Sequence, residues 1–248
     1  MAANPSTIAL EFEEQCLTYG ELNEQSNRLA HYLRYRGVTS ETIIGLYVQP
    51  SLEMIIGILG TLKAGGTYLP LDTLYPIERT TFMLRDSNCQ FLLTQKSLAN
   101  VLGAQTKQTV YLDADWEAIK NFPEGQQLPN IEPDNIAYII YTSGSSGVPK
   151  GVCGTHLGIV NRIAAEHLVM PYSTDEVTCI KTSTNFVDSI LEIFGPLSFG
   201  LKAVIANSDQ AKDAGQLIDL LYRHEISRLV IVPSLLREFL LANNASQR

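Results

Sequence analysis

The chain has little of what builds metal sites or disulfide frameworks. Cys16, Cys89, Cys153 and Cys179 are its only cysteines, they lie far apart, and no pair has CxxC or zinc-ligand spacing. That leaves no zinc module, and the thiols read as reduced side chains of a cytoplasmic protein. A basic excess is also missing. Lys and Arg total 18 against 26 Asp and Glu, a formal net charge of −8, which argues against nucleic acid as a partner. No block of like charges marks an interaction tail. No long hydrophobic run exists either. The most apolar stretch, Met54 to Leu62, is bracketed by Glu53 and Lys63 and is too short to span a membrane. Met1 to Thr7 is polar and carries no signal-peptide core. Internal repeats and low-complexity segments are absent. The single tryptophan, Trp116, reads as a packing residue. His156, His167 and His224 show no triad or metal pattern.

What is present suits a globular protein. The composition is 45% apolar and 18% charged over 248 residues, enough for one large domain or two small ones. Apolar periodicity predicts a helix over Leu17 to Arg36, capped by Thr18 with Glu21 and ended by Gly37. A strand follows at Ile43 to Val48. Ser51 then caps a helix to about Lys63, broken by Gly65 and Gly66. A third helix covers Pro76 to Arg85. Phe91 to Thr94 and Val110 to Leu112 read as strands, and Asn121 to Pro133 as a surface connection. Beyond it, strands are predicted at Asn135 to Tyr141, Val177 to Lys181, Lys202 to Ile205 and Arg228 to Val232. Helices are predicted at His156 to Met170, Ser189 to Leu197, Ala214 to His224 and Ser234 to Leu241. Strands alternating with helices give an α/β class with helices covering the sheet faces.

One segment stands out. Tyr141 to Val152 reads YTSGSSGVPKGV and sits between two strand signals. Gly144 and Gly147 permit positive φ and close backbone approach. The hydroxyls of Thr142, Ser143, Ser145 and Ser146, with neighbouring backbone N–H groups, can donate to anionic oxygens. Lys150 adds a compact positive charge, and Pro149 stiffens the exit. The pattern is that of a polyphosphate cradle, though not of a Walker loop, which needs GxxxxGK[ST] opening a helix. The plainer readings are a Gly/Ser linker and a solvated Lys150.

The same segment resembles the phosphate-loop signature of the adenylate-forming superfamily, which includes acyl-CoA synthetases, luciferases and the adenylation domains of nonribosomal peptide synthetases. LTYGEL at Leu17 to Leu22 and LKAGGTYLPLD at Leu62 to Asp72 resemble the first two core motifs of the peptide-synthetase branch. NFVDSILEIFGPLSFG at Asn185 to Gly200 resembles the fourth. The resemblance covers nearly the whole chain. It implies stacked sheets with helices on their faces, the front half of the large N-terminal subdomain of an adenylate-forming enzyme. It also implies truncation at both ends, with the C-terminal lysine-bearing subdomain absent and residues 1–248 inactive on their own.

The implied activity is ATP-dependent activation of a carboxylic acid as an acyl-adenylate with loss of pyrophosphate. Its cofactors would be ATP and Mg2+, with phosphopantetheine on a downstream peptidyl carrier domain as the acceptor. The phosphate loop would hold the leaving diphosphate through Thr142, Ser143, Gly144, Ser145, Ser146, Gly147 and Lys150, with Thr142 near the metal. No general acid, base or nucleophile is assigned.

Substrate selection would fall to Phe186, Val187, Asp188, Leu191 and Ile231. In amino-acid-activating relatives an aspartate follows the phenylalanine and pairs with the substrate ammonium. Here that position is Val187, and Asp188 comes one place later. Either the substrate lacks an α-amino group, as a hydroxy, keto, β-amino or fatty acid would, or Asp188 swings in. A third option is that Asp188 merely caps the helix. Leu191 and Ile231 are apolar and suit an apolar substrate tail, or ordinary core. Two readings compete with the main one: a fatty-acyl-AMP or acyl-CoA ligase, and a non-catalytic nucleotide-binding fragment.

Overall fold

In a computed structural model, residues 4–102, 108–124, 128–144 and 147–246 are described, with side chains to residue 240. The chain divides into two units. One comprises Met1–Glu21, Pro50–Leu52 and Ile163–Arg248; the other comprises Leu22–Gln49 and Glu53–Arg162.

The second unit is built on a six-stranded sheet. Its strands are β3 (Ile43–Tyr47), β4 (Thr67–Pro70), β5 (Phe91–Thr94), β6 (Gln108–Tyr111), β7 (Ile136–Thr142) and β8 (Lys150–Thr155), ordered β6-β5-β3-β4-β7-β8. All neighbours run parallel except β7 and β8, which form an antiparallel hairpin. Alternation along β3 sends Tyr47 to one face and Ile44 and Leu46 to the other. On the first face Tyr47 joins Leu69, Leu92, Ile139 and Tyr141 under Met83 and Leu84 of α3 (Ile77–Asp86). On the second, α2 (Leu52–Lys63) lies close because it carries glycines. A Cβ at Gly57 would meet Leu46 Cδ1 at 2.9 Å, and one at Gly60 would meet Leu29 of α1 (Tyr19–Tyr35) at 2.6 Å. Two short helices, α4 (Ala99–Leu102) and α5 (Trp116–Ile119), complete the unit with α6 (His156–Val169), which runs on into the first unit.

The start of α1 obeys the sequence. The Thr18 N–H donates to Glu21 Oε2 at 2.8 Å, and the Glu21 N–H donates to Thr18 Oγ1 at 3.2 Å, a reciprocal cap. Gly37, with φ +102°, ends the helix, and the Val38 N–H returns to the Leu33 carbonyl.

The first unit holds a four-stranded sheet, ordered β2 (Gln15–Thr18), β1 (Ile8–Phe12), β10 (Lys202–Ile205), β9 (Val177–Ile180). Helices α7 (Asp188–Phe199), α8 (Ala214–Arg223) and α9 (Pro233–Ser246) accompany it. Leu217 and Leu220 of α8 pack on Cys179 and Val204.

Most predicted elements form within a residue or two of their expected bounds. The predicted strand at Arg228 to Val232 does not. Only Arg228 bridges, in parallel, to Thr178. The rest of the apolar run is neither paired nor fully buried: Leu229 packs, partly buried, against the core under α8, and Val232 is 49% exposed, while the Arg228 guanidinium is held by Glu176 at 2.7 Å and by the Pro171 carbonyl at 2.7 Å. Sequence reading also missed β1, β2 and β4. The last is TYLP, a short strand closed by Pro70 and left unassigned after the Gly65 and Gly66 break.

Candidate functional site

The phosphate-loop segment is the tip of the β7–β8 hairpin. The ladder pairs Thr142 with Lys150, Tyr141 with Gly151 and Ile139 with Cys153. Lys150 therefore stands directly across from the hydroxyl-bearing Thr142, and both are exposed. The two described loop glycines do different work. A Cβ on Gly144 would come within 2.1 Å of the Val148 carbonyl oxygen and 3.4 Å of Lys150 Cγ. Gly147 has φ +79°, open space around it, and donates its N–H to the Gly144 carbonyl at 2.9 Å. One glycine allows the backbone to close on itself, and the other turns it through the left-handed region. Ser143 is exposed at the mouth. Ser145 and Ser146 lie outside the described residues. Backbone closure at Gly144, hydroxyls at Thr142 and Ser143, and the Lys150 ammonium form a donor-rich bend that fits a polyphosphate.

Strand β8 carries two further glycines that sequence reading gave no role. A Cβ on Gly154 would run into the Tyr138 ring at 2.0 Å, and one on Gly151 would meet Ile139 Cγ2 at 2.9 Å. Each lets a β7 side chain lie across β8. The two glycines within KGVCGT were the available signal, since glycine inside a strand marks close approach.

The metal assignment rests on one oxygen. Among the described residues no group of three or more His, Cys, Asp or Glu could hold an ion. The Thr142 hydroxyl is a single neutral ligand, so magnesium would have to arrive on the phosphates of a nucleotide.

The substrate segment belongs to the first unit. Phe186 is 62% exposed and Val187 44% exposed, at the start of α7. Val187 is the N-cap, with φ −60° and ψ −24°, so helical spacing already applies to it. Val187 therefore sits one turn above Leu191, and Asp188 one turn above Glu192. Asp188 is the first residue inside α7 and not its cap. Leu191 is buried, and Ile231 is half-buried in the irregular stretch before α9.

Glu192 is the feature that sequence reading left without a role. It is 3% exposed and accepts from the Lys181 N–H at 2.9 Å, the Thr182 N–H at 2.7 Å and Thr182 Oγ1 at 2.7 Å. The Lys181 ammonium stands 3.6 Å away. Burial pushes the Glu192 carboxyl above the usual range, against the opposing pull of Lys181 and the Thr182 donors. The carboxylate ties α7 to the end of β9 and so frames the intervening residues. Its signal was a lone acid in an apolar helix, which must find a partner if buried. Gly195 adds a second tie: a Cβ there would meet Tyr172 Oη at 2.2 Å. The Tyr172 ring stacks on Phe199 at 4.9 Å and lies under the Arg228 guanidinium at 4.2 Å.

Burial raises the Cys89 and Cys179 thiols to about 12, so both are inert. His224 pairs with Glu11 at 3.1 Å, and His167 Nδ1 accepts the Tyr172 N–H at 3.1 Å.

The AMP-binding enzyme family matches residues 1–248. Tyrocidine synthase 3 of Brevibacillus parabrevis is 39% identical over 95% of the chain, and zwittermicin A synthase ZmaJ of Bacillus cereus is 36% identical over 95%. The chain spans only 4% of the first protein and 45% of the second. Among solved structures, the nonribosomal peptide synthetase FmoA3 in its AMPPNP-bound form superposes with TM-score 0.88 at 28% identity, covering 98% of this chain and 25% of that one. FmoA3 has also been solved in an alpha-methyl-L-serine-AMP bound form. With a family match along its whole length and a hairpin that fits a polyphosphate, this chain belongs to the AMP-binding enzyme family.

Proposed function

We propose that the protein containing this chain activates a carboxylic acid as its acyl-adenylate, for thioester loading in nonribosomal peptide synthesis. The observation that carries this is the hairpin tip, where Lys150 faces Thr142 across a loop closed by Gly144. A carboxylate oxygen of the acid attacks the α-phosphorus of ATP. The bond from that phosphorus to the bridging oxygen of the β-phosphate breaks, and pyrophosphate leaves with the electron pair. Attacking and leaving groups are both anionic, so the protein's task is alignment and charge neutralisation. Thr142, Ser143, Gly144, Ser145, Ser146, Gly147 and Lys150 hold the departing diphosphate. Magnesium, brought in on the nucleotide and met by the Thr142 hydroxyl, would supply further charge neutralisation. The phosphopantetheine thiol of a peptidyl carrier domain, in the cytoplasm, would take the acyl group as a thioester, with AMP released as the acyl–phosphate bond breaks.

The α7 register favours an acid without an α-amino group. Val187 shares its helix face with Leu191, whereas Asp188 is aligned with Glu192. The face bearing Leu191 is thus apolar, and a buried ammonium there would lack a counter-charge. Phe186, Val187, Asp188, Leu191 and Ile231 would line or border that acid. ATP–pyrophosphate exchange by the full-length protein, offered amino, hydroxy, keto, β-amino and fatty acids, tests both statements. Exchange with a hydroxy or keto acid above that with any α-amino acid supports the reading. An α-amino acid preference that survives Asp188→Ala overturns the substrate assignment, and no exchange with any acid overturns the activity.

A further inference from the structure

The root of the phosphate loop is held from outside the loop. Tyr141 is the last buried residue of β7 before Thr142, 5% exposed. Its phenol Oη donates to Asp86 Oδ2 at 2.6 Å. Asp86 is the C-terminal residue of α3, where the helix dipole opposes a negative charge. Nothing in α3 itself favours an aspartate at that place, so the interaction that does is the one made to β7.

The ring is fixed on two further sides. It meets Phe82 of α3 edge-on, with centroids 6.4 Å apart. It also lies against Gly151, where a Cβ would stand 3.3 Å from its Cε2 and Cζ. Gly151 is Tyr141's own ladder partner, and the next rung outward is Thr142 with Lys150. A contiguous path therefore runs from the Asp86 carboxylate through the Tyr141 ring to the backbone that carries Lys150. Burial, and then Asp86 itself, push the phenol's pKa up, so it remains a donor throughout the physiological range.

We propose that Asp86 and Tyr141 form one positioning unit for the phosphate loop, setting the placement of Thr142 and Lys150 that a nucleotide's phosphates require. This deepens the functional reading above and rests on it. Neither residue touches the nucleotide; both act through Gly151 and Lys150.

The test is ATP–pyrophosphate exchange by the full-length protein, with KM measured separately for ATP and for the acid. Tyr141→Phe and Asp86→Ala should each raise KM for ATP about three- to tenfold, the range expected for one net hydrogen bond, and leave KM for the acid unchanged. The double variant should be no worse than Tyr141→Phe alone, because Asp86 acts through the phenol, which also meets Ser87. Asp86→Asn, which keeps an acceptor oxygen, should recover most of the loss. Additive effects in the double variant would overturn the unit. So would a drop in melting temperature with no change in KM for ATP, the mark of a merely structural contact. Lys150→Ala separates the two levels. If it leaves both kcat and KM for ATP unchanged, the loop does not hold phosphates and both readings fall. If it raises KM while Tyr141→Phe does not, only the positioning unit is wrong.

Discussion

The β7–β8 hairpin and the start of α7 are the two candidate segments of the chain, and they are held in opposite ways. The hairpin tip is exposed and, among the described residues, is shaped by its glycines and by the bond from the Gly147 N–H to the Gly144 carbonyl, above a root held by Tyr141 and Asp86. The α7 segment is fastened by a buried carboxylate that takes the Lys181 and Thr182 amides and an ammonium. Outgoing phosphate is the same anion whatever the acid, and it needs donors left free for it, so an open loop serves. An acid pocket must keep one shape to discriminate, and interior charges with fixed partners supply that rigidity at a desolvation cost.

The largest expected effect breaks the rigid segment. Glu192→Ala strands the Lys181 ammonium, whose side chain is 7% exposed, and should cost about 3–5 kcal/mol of stability, read by thermal or denaturant unfolding of the full-length protein. A change within experimental error would show that Glu192 is not the fastener. Lys150→Ala, in the open segment, should instead leave stability intact and slow exchange by about 100- to 1000-fold. Gly144→Ala should act like it at smaller size. The added Cβ meets the Val148 carbonyl at 2.1 Å, and the displaced loop should lose roughly 100-fold in kcat/KM for ATP. Normal kinetics would mean that the loop is not closed as described.

The smallest effect sharpens the contrast between buried charges with and without a counter-charge. Lys63 donates to Asn23 Oδ1 at 2.8 Å, Ser26 Oγ at 2.8 Å and Asn27 Oδ1 at 2.7 Å, neutral acceptors all. Burial lowers its pKa from 10.5 to about 8. Between those values the unfolded chain holds the proton that the folded one has released, so stability rises with pH across that window. Lys63→Met should flatten the rise in urea titrations from pH 8 to 10.5; an unchanged slope would remove the assignment.

Legibility in the sequence followed what each feature depends on. Helix ends with local chemistry were readable: Thr18 with Glu21, and Gly37, formed as written. The hairpin tip was readable because its residues are contiguous. Arg228 to Val232 misled because β-branched composition does not itself supply a ladder partner, and only Arg228 finds one, at Thr178. Asp86, Tyr141 and Gly151 could not be joined from sequence, since their contacts cross between α3, β7 and β8. Glu192 was visible as a letter, but its role depends on where β9 ends.

Hydrogen exchange of the full-length protein, with and without ATP and magnesium, tests the central claim most directly. Slowed exchange over residues 142–151 on nucleotide binding is the expected result. Protection elsewhere, with that hairpin tip unaffected, would contradict the assignment of the site.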